Sequence, residues 1–143
     1  MLSVIVPTYN EAGRIEELLS ELRAQDPTCD LIVVDGSSMD ATVTRAEPYA
    51  RVVVTQPNRG RQLNLGARAA RGDQLLFLHA DVRLPPGALA AVQRALSDPE
   101  AGGGTFRLKF AGADLASRVF SLIDRWRRWF GIFYGDSGIF VRR

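Results

Sequence analysis

The chain has 143 residues, 46% of them hydrophobic and 24% charged, with a formal net charge of +2 at pH 7. This length predicts one globular domain over residues 1–143, and the nearly balanced charge gives no support for bulk binding to nucleic acid. The single cysteine, Cys29, excludes an internal disulfide. No apolar run is long enough to cross a membrane, and the N-terminus enters a strand rather than a signal peptide, so we expect a cytoplasmic protein.

The first 25 residues predict a strand followed by a helix. Residues 2–7 are largely β-branched and apolar, and Pro7 ends the strand because it lacks an N–H for the ladder. Asn10 is a good N-cap residue and Glu11 suits a first helical turn, so we expect a helix over residues 11–24. Its inward face carries apolar residues at helical spacing: Ile15, Leu18, Leu19 and Leu22.

The next segment predicts two more strands, each followed by a helix. Residues 30–35 form an apolar run that ends on Asp35, and Asp40 or a nearby serine should cap a short helix that ends near residue 47. Residues 51–55 predict a third strand. Residues 61–70 predict a helix with Leu63, Ala67 and Ala70 inward, ended by Gly72.

The most apolar run of the chain, residues 74–81, ends on a histidine and an aspartate. It predicts a strand covered on both faces, in the middle of a parallel sheet. A helix with Leu89, Val92 and Leu96 inward follows Gly87. Residues 105–110 alternate and predict an antiparallel edge strand, residues 113–130 a long helix, and residues 138–141 a last strand. The order predicts a doubly wound α/β fold with a mostly parallel sheet, helices on both faces and an antiparallel edge strand.

Polar side chains follow three of the predicted strands, in residues 8–11, 35–38 and 79–81. Ligands of open α/β sheets bind outside the carboxyl ends of the strands, so these groups are candidates for one site. Tyr9 can stack on a base, and Asp35 can accept from a base N–H or a ribose hydroxyl. Asp81 is a hard oxygen ligand for Mg²⁺ or Mn²⁺ on a diphosphate, and Arg61, like Arg59, can pair with phosphate. The set favours a nucleotide ligand.

Three ordered segments, residues 3–11, 34–42 and 78–81, resemble the family-2 glycosyltransferases of GT-A fold. Residues 58–67, 134–136 and 138–143 are similar to a bacterial subgroup found beside radical-enzyme and selenium-related genes. The resemblance implies transfer of a sugar from a nucleoside-diphosphate donor to an acceptor hydroxyl, with inversion and with a divalent cation, Mn²⁺ or Mg²⁺. The nucleotide-binding residues that it implies, together with the polar groups above, are Pro7, Thr8, Tyr9, Glu11, Asp35, Ser37 and Arg61.

The resemblance also implies a metal site and a general base. Asp81 matches the last aspartate of the family's Asp-x-Asp metal motif, whereas the first position is occupied here by His79. The family's base is usually an aspartate in a Glu-Asp pair downstream, and no such pair occurs after Asp81. Asp136 is the carboxylate near the C-terminal end that can stand in for it. Because the chain is shorter than the family's usual catalytic domain, we expect it to be truncated at its C-terminus.

The predicted helix at residues 113–130 has two interpretations. Its aromatic stripe and its arginines suit a membrane surface that presents a lipid-linked acceptor. They favour more strongly a helix that covers the sheet or contacts a second subunit. The sequence therefore leaves open peripheral membrane contact, a homodimer and the nature of the acceptor, lipid-linked or saccharide.

The same residues bear on three other functions. A non-catalytic module that binds a sugar nucleotide is the main alternative, because the Glu-Asp pair is missing. A nucleotidyltransferase would need a glycine-rich loop with Arg and Lys directly after the first strand. A dinucleotide-binding dehydrogenase would need Gly-x-Gly-x-x-Gly there, and residues 7–11 have neither sequence.

Overall fold

The computed structural model describes residues 1–106 and 138–143. The predicted strand continuation at 107–110, the helix at 113–130 and Asp136 lie outside these residues. The elements in chain order are β1 (Leu2–Thr8), α1 (Ile15–Gln25), β2 (Asp30–Asp35), α2 (Thr42–Ala46), β3 (Arg51–Val54), α3 (Arg59–Ala69), β4 (Gln74–Phe77), α4 (Ala88–Ala95), β5 (Gly103–Thr105) and β6 (Ile139–Arg142).

The strands form one mixed sheet in the order β3-β2-β1-β4-β6-β5. Strands β3, β2, β1 and β4 are parallel to one another, as predicted. Strand β6 pairs antiparallel with both β4 and β5, so β6 runs against the other strands and lies one position in from the edge. The predicted doubly wound, mostly parallel architecture with an antiparallel edge pairing is confirmed.

Two apolar clusters lie on opposite faces of the sheet, because successive side chains of a strand point to opposite sides. Val4, Val6, Leu31 and Val33 pack with α1, α2 and α4 on one face. On the other face, Ile5, Ile32 and Val34 pack with α3. The central strands are therefore buried on both sides, which accounts for their continuous apolar sequence.

The predicted start of the first helix is wrong. Helix α1 begins at Ile15, and Asn10 is not its N-cap but has a left-handed backbone with φ 55°. Its side chain accepts a hydrogen bond from the Met39 amide over 2.9 Å instead. The carbonyl of Glu11 accepts from both Arg14 and Ile15, so residues 11–14 form a turn before the helix. An asparagine near a helix start can thus serve a neighbouring loop rather than the helix.

Two other predicted boundaries move for identifiable reasons. Helix α3 begins at Arg59, two residues early, because the Asn58 side chain accepts a hydrogen bond from the Arg61 amide over 2.9 Å. Strand β4 ends at Phe77 rather than just before Asp81, and the chain then turns, with the Val82 amide donating to the His79 carbonyl. No helix within the described parts of the chain is long and apolar enough to span a bilayer.

Candidate functional site

The strand order brings the predicted site segments to one place. Strand β1 lies between β2 and β4, so the loops that follow these three strands leave the sheet side by side. Helix α1, which follows β1, covers one face of the sheet, and helix α3, which precedes β4, covers the other. The gap between β1 and β4 is therefore a topological switch point. We call residues 9–14 the β1 loop, residues 36–41 the β2 loop and residues 78–87 the β4 loop.

A buried carboxylate joins the ends of β1 and β2. Asp35 is 0% exposed, and its Oδ1 accepts the hydroxyls of Thr8 at 2.9 Å and Ser38 at 2.6 Å. Its Oδ2 accepts the Ser38 amide at 2.7 Å. Three donors thus share the two oxygens of one buried carboxyl group. Asp35 and Thr8, both predicted to bind nucleotide, are therefore brought together, and their direct partners are protein groups.

Further hydrogen bonds connect the β1 and β2 loops. The Asn10 amide donates to the Ser38 hydroxyl at 2.8 Å, and the Glu11 amide donates to the Thr42 hydroxyl at 2.8 Å. The Asp40 carboxylate accepts from the amide of Ala12 and from the amide and hydroxyl of Thr42. The hydrogen bond from the Thr42 hydroxyl lowers the pKa of Asp40 below its ordinary value. The two loops consequently form one hydrogen-bonded unit.

Exposed groups project from this bonded unit. Tyr9 is 52% exposed and Met39 is 92% exposed. Ser37 has a left-handed backbone with φ 62°, and its hydroxyl donates to the Thr55 carbonyl at 2.9 Å. Glu11 is half-buried, 3.8 Å from the Arg14 guanidinium. Of these groups, the Tyr9 ring is the broad apolar surface that a ligand could reach.

A buried glutamine of α3, which was not among the predicted site residues, supports the same strand ends. Gln62 is 5% exposed and its Nε2 donates to the carbonyls of Thr8 at 2.8 Å and Val34 at 2.7 Å. A signal was present, because Gln62, Gly66 and Ala70 share one helical face and all three are buried. Of the residues predicted to point inward, Ala70 is buried, Ala67 is half-buried against the same apolar cluster, and Leu63 is half-buried.

Gly36 is required by the packing of the protein itself. A Cβ at this position would lie 3.2 Å from the Pro57 Cα and 3.3 Å from both Gln62 Nε2 and the Thr8 carbonyl oxygen. Such contacts are tighter than side chains normally tolerate. The missing side chain thus leaves room for the buried hydrogen bonds of Gln62.

The β4 loop separates two pockets. On the α3 side, a mostly apolar pocket of about 250 Å³ includes Pro7, Phe77, Leu78 and His79 in its lining. On the α1 side, a polar pocket of about 90 Å³ is lined by Asp81, Arg83 and residues of α1. His79 and Asp81, both predicted metal ligands, therefore line different pockets. Asp81 is exposed, and no ion pair joins it to another described side chain.

The remaining predicted residues lie around these pockets. Pro7 is in β1 and half-buried, and Arg61 is an exposed residue in the first turn of α3, with Nη1 3.5 Å from Gln56 Oε1. Arg59 begins α3 and lines the larger pocket. Within residues 1–106 and 138–143, no group of three or more His, Cys, Asp or Glu side chains is arranged to hold a metal ion.

The sequence of this domain matches a known family over most of its length. Residues 3–135 match the family model described as glycosyl transferase family 2. The chain belongs to glycosyl transferase family 2. The chain has the GT-A fold of its structural neighbours, with a mostly parallel sheet and an antiparallel edge pairing.

Individual proteins that this chain resembles are also glycosyltransferases. The dolichyl-phosphate beta-glucosyltransferase of Drosophila melanogaster is 38% identical over 99 residues, covering 56% of this chain and 30% of that protein. A mannosyltransferase from Pyrobaculum calidifontis, solved with GDP-Man and Mn²⁺, has a TM-score of 0.75 and 27% identity, covering 99% of this chain and 44% of that one. Staphylococcus aureus TarS residues 1–349, solved with UDP, gives a TM-score of 0.68 and 27% identity over 80% of this chain and 37% of that one. This family-2 domain spans roughly a third of the length of the curated relatives it matches first.

Proposed function

We propose that this family-2 glycosyltransferase domain transfers a sugar from a nucleoside-diphosphate donor to an acceptor hydroxyl, with inversion at the sugar carbon. The observation that carries the proposal is the adjacency of the β1, β2 and β4 loops at the switch point of the sheet. The solved relatives support this donor class, because one holds GDP-Man and Mn²⁺ and another holds UDP. A non-catalytic binding module gains no support, since the relatives named above are transferases.

The nucleoside is proposed to bind over the β1 and β2 loops. Tyr9, 52% exposed, offers a ring for stacking on the base, beside Pro7, Thr8, Glu11 and Ser37. Asp35 accepts three of the roughly four hydrogen bonds that a carboxylate can take, so one position on Oδ2 remains for a base N–H. Because Asp35 is fully buried, this contact requires a local movement of the side chains that cover Asp35, with the backbone of the β2 loop kept in place. Arg61, exposed in the first turn of α3, is proposed to pair with phosphate.

The described residues fit a divalent cation shared with the donor, not one held by the protein alone. Asp81 is a single exposed carboxylate, and Mg²⁺ or Mn²⁺ sites of this kind use one or two carboxylates plus substrate phosphates. Asp81 would therefore hold the ion, with His79 as a second candidate. When bound, the ion would offset negative charge on the leaving diphosphate. Asp136, which lies outside the described residues, is proposed as the base that takes the acceptor hydroxyl proton.

The finer identity of the enzyme is also a proposal. Residues 58–67 support membership of the bacterial subgroup found beside radical-enzyme and selenium-related genes. A lipid-linked acceptor, reached at the cytoplasmic face of a membrane, is supported by the similarity to a dolichyl-phosphate glucosyltransferase. The alternative acceptor is a saccharide, and the alternative to membrane contact is a homodimer. Co-sedimentation with anionic vesicles and sedimentation velocity would test the membrane contact and the dimer.

Ligand-dependent melting tests the donor proposal. With UDP or GDP and Mn²⁺ at about a hundred times the dissociation constant, we expect the Tm to rise by on the order of 5–10 °C. Asp81→Ala should remove the Mn²⁺-dependent part of the rise, and His79→Ala should remove less of it. Asp98→Ala, an exposed aspartate in the loop after α4, serves as the matched control. A wild-type chain whose Tm responds to neither nucleotide would contradict the proposal.

Turnover distinguishes a transferase from a binding module. We expect slow release of UDP from UDP-glucose or of GDP from GDP-mannose in the presence of Mn²⁺, and loss of that release in Asp136→Asn. NMR of the released sugar would reveal the anomer and so test inversion. Nucleotide binding without donor turnover, in the full protein, would favour the binding module.

A further inference from the structure

Gln62 is a buried polar side chain that the proposed chemistry does not use. It lies on the face of α3 that packs against β1 and β2, and it is 5% exposed. Both groups facing its amide are backbone carbonyls, at 2.8 and 2.7 Å, so the amide must present its NH₂ to them. One side chain therefore uses both of its N–H donors on the ends of two neighbouring strands.

The two carbonyls stand directly before the proposed nucleotide contacts. Thr8 precedes Tyr9, and Val34 precedes Asp35. The Thr8 carbonyl also accepts the Gly36 amide at 2.8 Å, so Gln62 and the β2 loop meet at the same oxygen. Gln62 thus connects α3 to the strand ends from which the β1 loop and the β2 loop start.

Both loops hold backbone conformations that need support. Asn10 and Ser37 have φ values of 55° and 62°, in the left-handed region that residues with a side chain adopt uncommonly, asparagine more readily than most. Asn10 is bonded to Ser38 and Met39, and the Ser37 hydroxyl donates to the Thr55 carbonyl. The strand ends that precede both loops are held by Gln62 and Asp35. If those strand ends separate, Tyr9 and Ser37 no longer keep fixed positions relative to each other.

We propose that Gln62 is a positioning residue of the nucleotide subsite. It holds the β1 and β2 loops in the conformation that receives a nucleoside diphosphate, without touching the ligand itself. This inference rests on the proposed function, since it concerns the same subsite. Binding to a preorganised loop avoids the cost of ordering that loop, so Gln62 acts on nucleotide affinity.

Two variants of similar size remove the donors. Gln62→Met keeps the volume and loses both N–H groups, whereas Gln62→Glu also places carboxylate oxygens against two carbonyl oxygens. The control is Val92→Ala, a buried core change on α4 at the opposite face of the sheet, which lowers stability without contact to either loop. Circular dichroism and urea unfolding establish that each variant is folded.

Two measurements then separate positioning from general stability. In Gln62→Met without ligand, amide exchange at Gly36, Ser38 and Met39 should become about tenfold faster than in Val92→Ala. The Kd for UDP or GDP with Mn²⁺ should rise about tenfold in Gln62→Met and further in Gln62→Glu, while Val92→Ala stays within about twofold.

Each outcome decides the inference. Nucleotide affinity in Gln62→Met equal to that of Val92→Ala, or unchanged exchange at the β2 loop, overturns the positioning role and leaves the proposed function standing. If the wild-type chain binds neither UDP nor GDP, the proposed function and the positioning role fall together.

Discussion

Thr8 and Asp35 pair in register at the ends of β1 and β2, and the Thr8 hydroxyl donates to Asp35 Oδ1 over 2.9 Å. Both residues are buried, and the same carboxylate accepts two more hydrogen bonds from Ser38. One charged group therefore satisfies donors from a strand and from the following loop. A buried carboxylate is tolerated only with such partners, so its loss has consequences beyond one contact.

We predict that Asp35→Ala lowers the free energy of unfolding by about 2–4 kcal/mol, because the buried Thr8 hydroxyl and the half-buried donors of Ser38 lose their acceptor. Asp35→Asn should cost less, since its single carbonyl oxygen still accepts. Urea denaturation measures both values. Asp98→Ala should stay within about 0.5 kcal/mol of the wild type, since Asp98 is exposed. An equally small effect in Asp35→Ala would contradict this account.

The strands were predictable because central parallel strands are apolar on both faces, as Val4, Ile5 and Val6 show. Helix α4 was predictable from Leu89, Val92 and Leu96, which are all buried. The start of α1 was not predictable. Asn10 is a residue type that often caps helices, but its side chain accepts a hydrogen bond from Met39 of the β2 loop, 29 residues away. Local sequence cannot reveal which of two partners a short polar side chain will choose.

The site was predictable in its location and less so in its detail. Polar residues follow the ends of β1, β2 and β4. Because these three strands are neighbours in the sheet, their polar residues lie at the same sheet edge. The sequence could not reveal that His79 and Asp81 line different pockets, because that depends on the turn after Phe77. Nor did it predict Gln62, since a glutamine on a helix normally faces water.

Arg83 ties the β4 loop to α1 by two ion pairs. Its Nη2 lies 2.7 Å from Glu17 and its Nη1 3.3 Å from Glu21, and these pairs raise the pKa of Arg83. Glu17 and Glu21 are one turn apart and repel each other unless a cation lies between them. Arg83 also follows Asp81 by two residues and lines the same pocket, so we expect it to help hold the proposed metal ligand.

We predict that Arg83→Ala weakens Mn²⁺-dependent binding of UDP or GDP by roughly twofold to fivefold at low salt, because exposed ion pairs act through screened charges. In high salt the variant and the wild type should converge. Titration calorimetry at the two ionic strengths measures the effect, and Arg94→Ala, another exposed arginine, is the control. A salt-independent difference would show that Arg83 acts through something other than these charges.

Burial at 3% exposure raises the pKa of the Cys29 thiol to about 11 from 9.0, and the charge of Asp26 contributes in the same direction. The folded chain then keeps a proton that the unfolded chain releases. The stabilisation is complete below the unfolded value of 9.0 and is lost as pH rises toward 11.

We predict that stability falls in that window by up to about 1.4 kcal/mol per pH unit, and that Cys29→Ala removes this contribution. Urea denaturation at about pH 8 and about pH 10 measures the slope for both chains. The difference between the two slopes isolates the thiol from the other groups that titrate at high pH. Parallel slopes would contradict the prediction.

Gly66 sets how closely α3 approaches the sheet. A Cβ there would lie 2.3 Å from Ile5 Cγ2 and 3.1 Å from Val34 Cγ2, whereas at Gly60 the nearest atom, Asn58 Oδ1, would be 3.6 Å away. We predict that Gly66→Ala costs about 1–3 kcal/mol by pushing α3 off β1, and that Gly60→Ala is neutral or stabilises by up to about 1 kcal/mol. Because Gln62 lies one turn before Gly66 on the same face, the displaced helix should also weaken nucleotide binding. Urea denaturation and calorimetry with UDP or GDP measure both effects, and full nucleotide affinity in a destabilised Gly66→Ala chain would show that the strand ends do not depend on the position of α3.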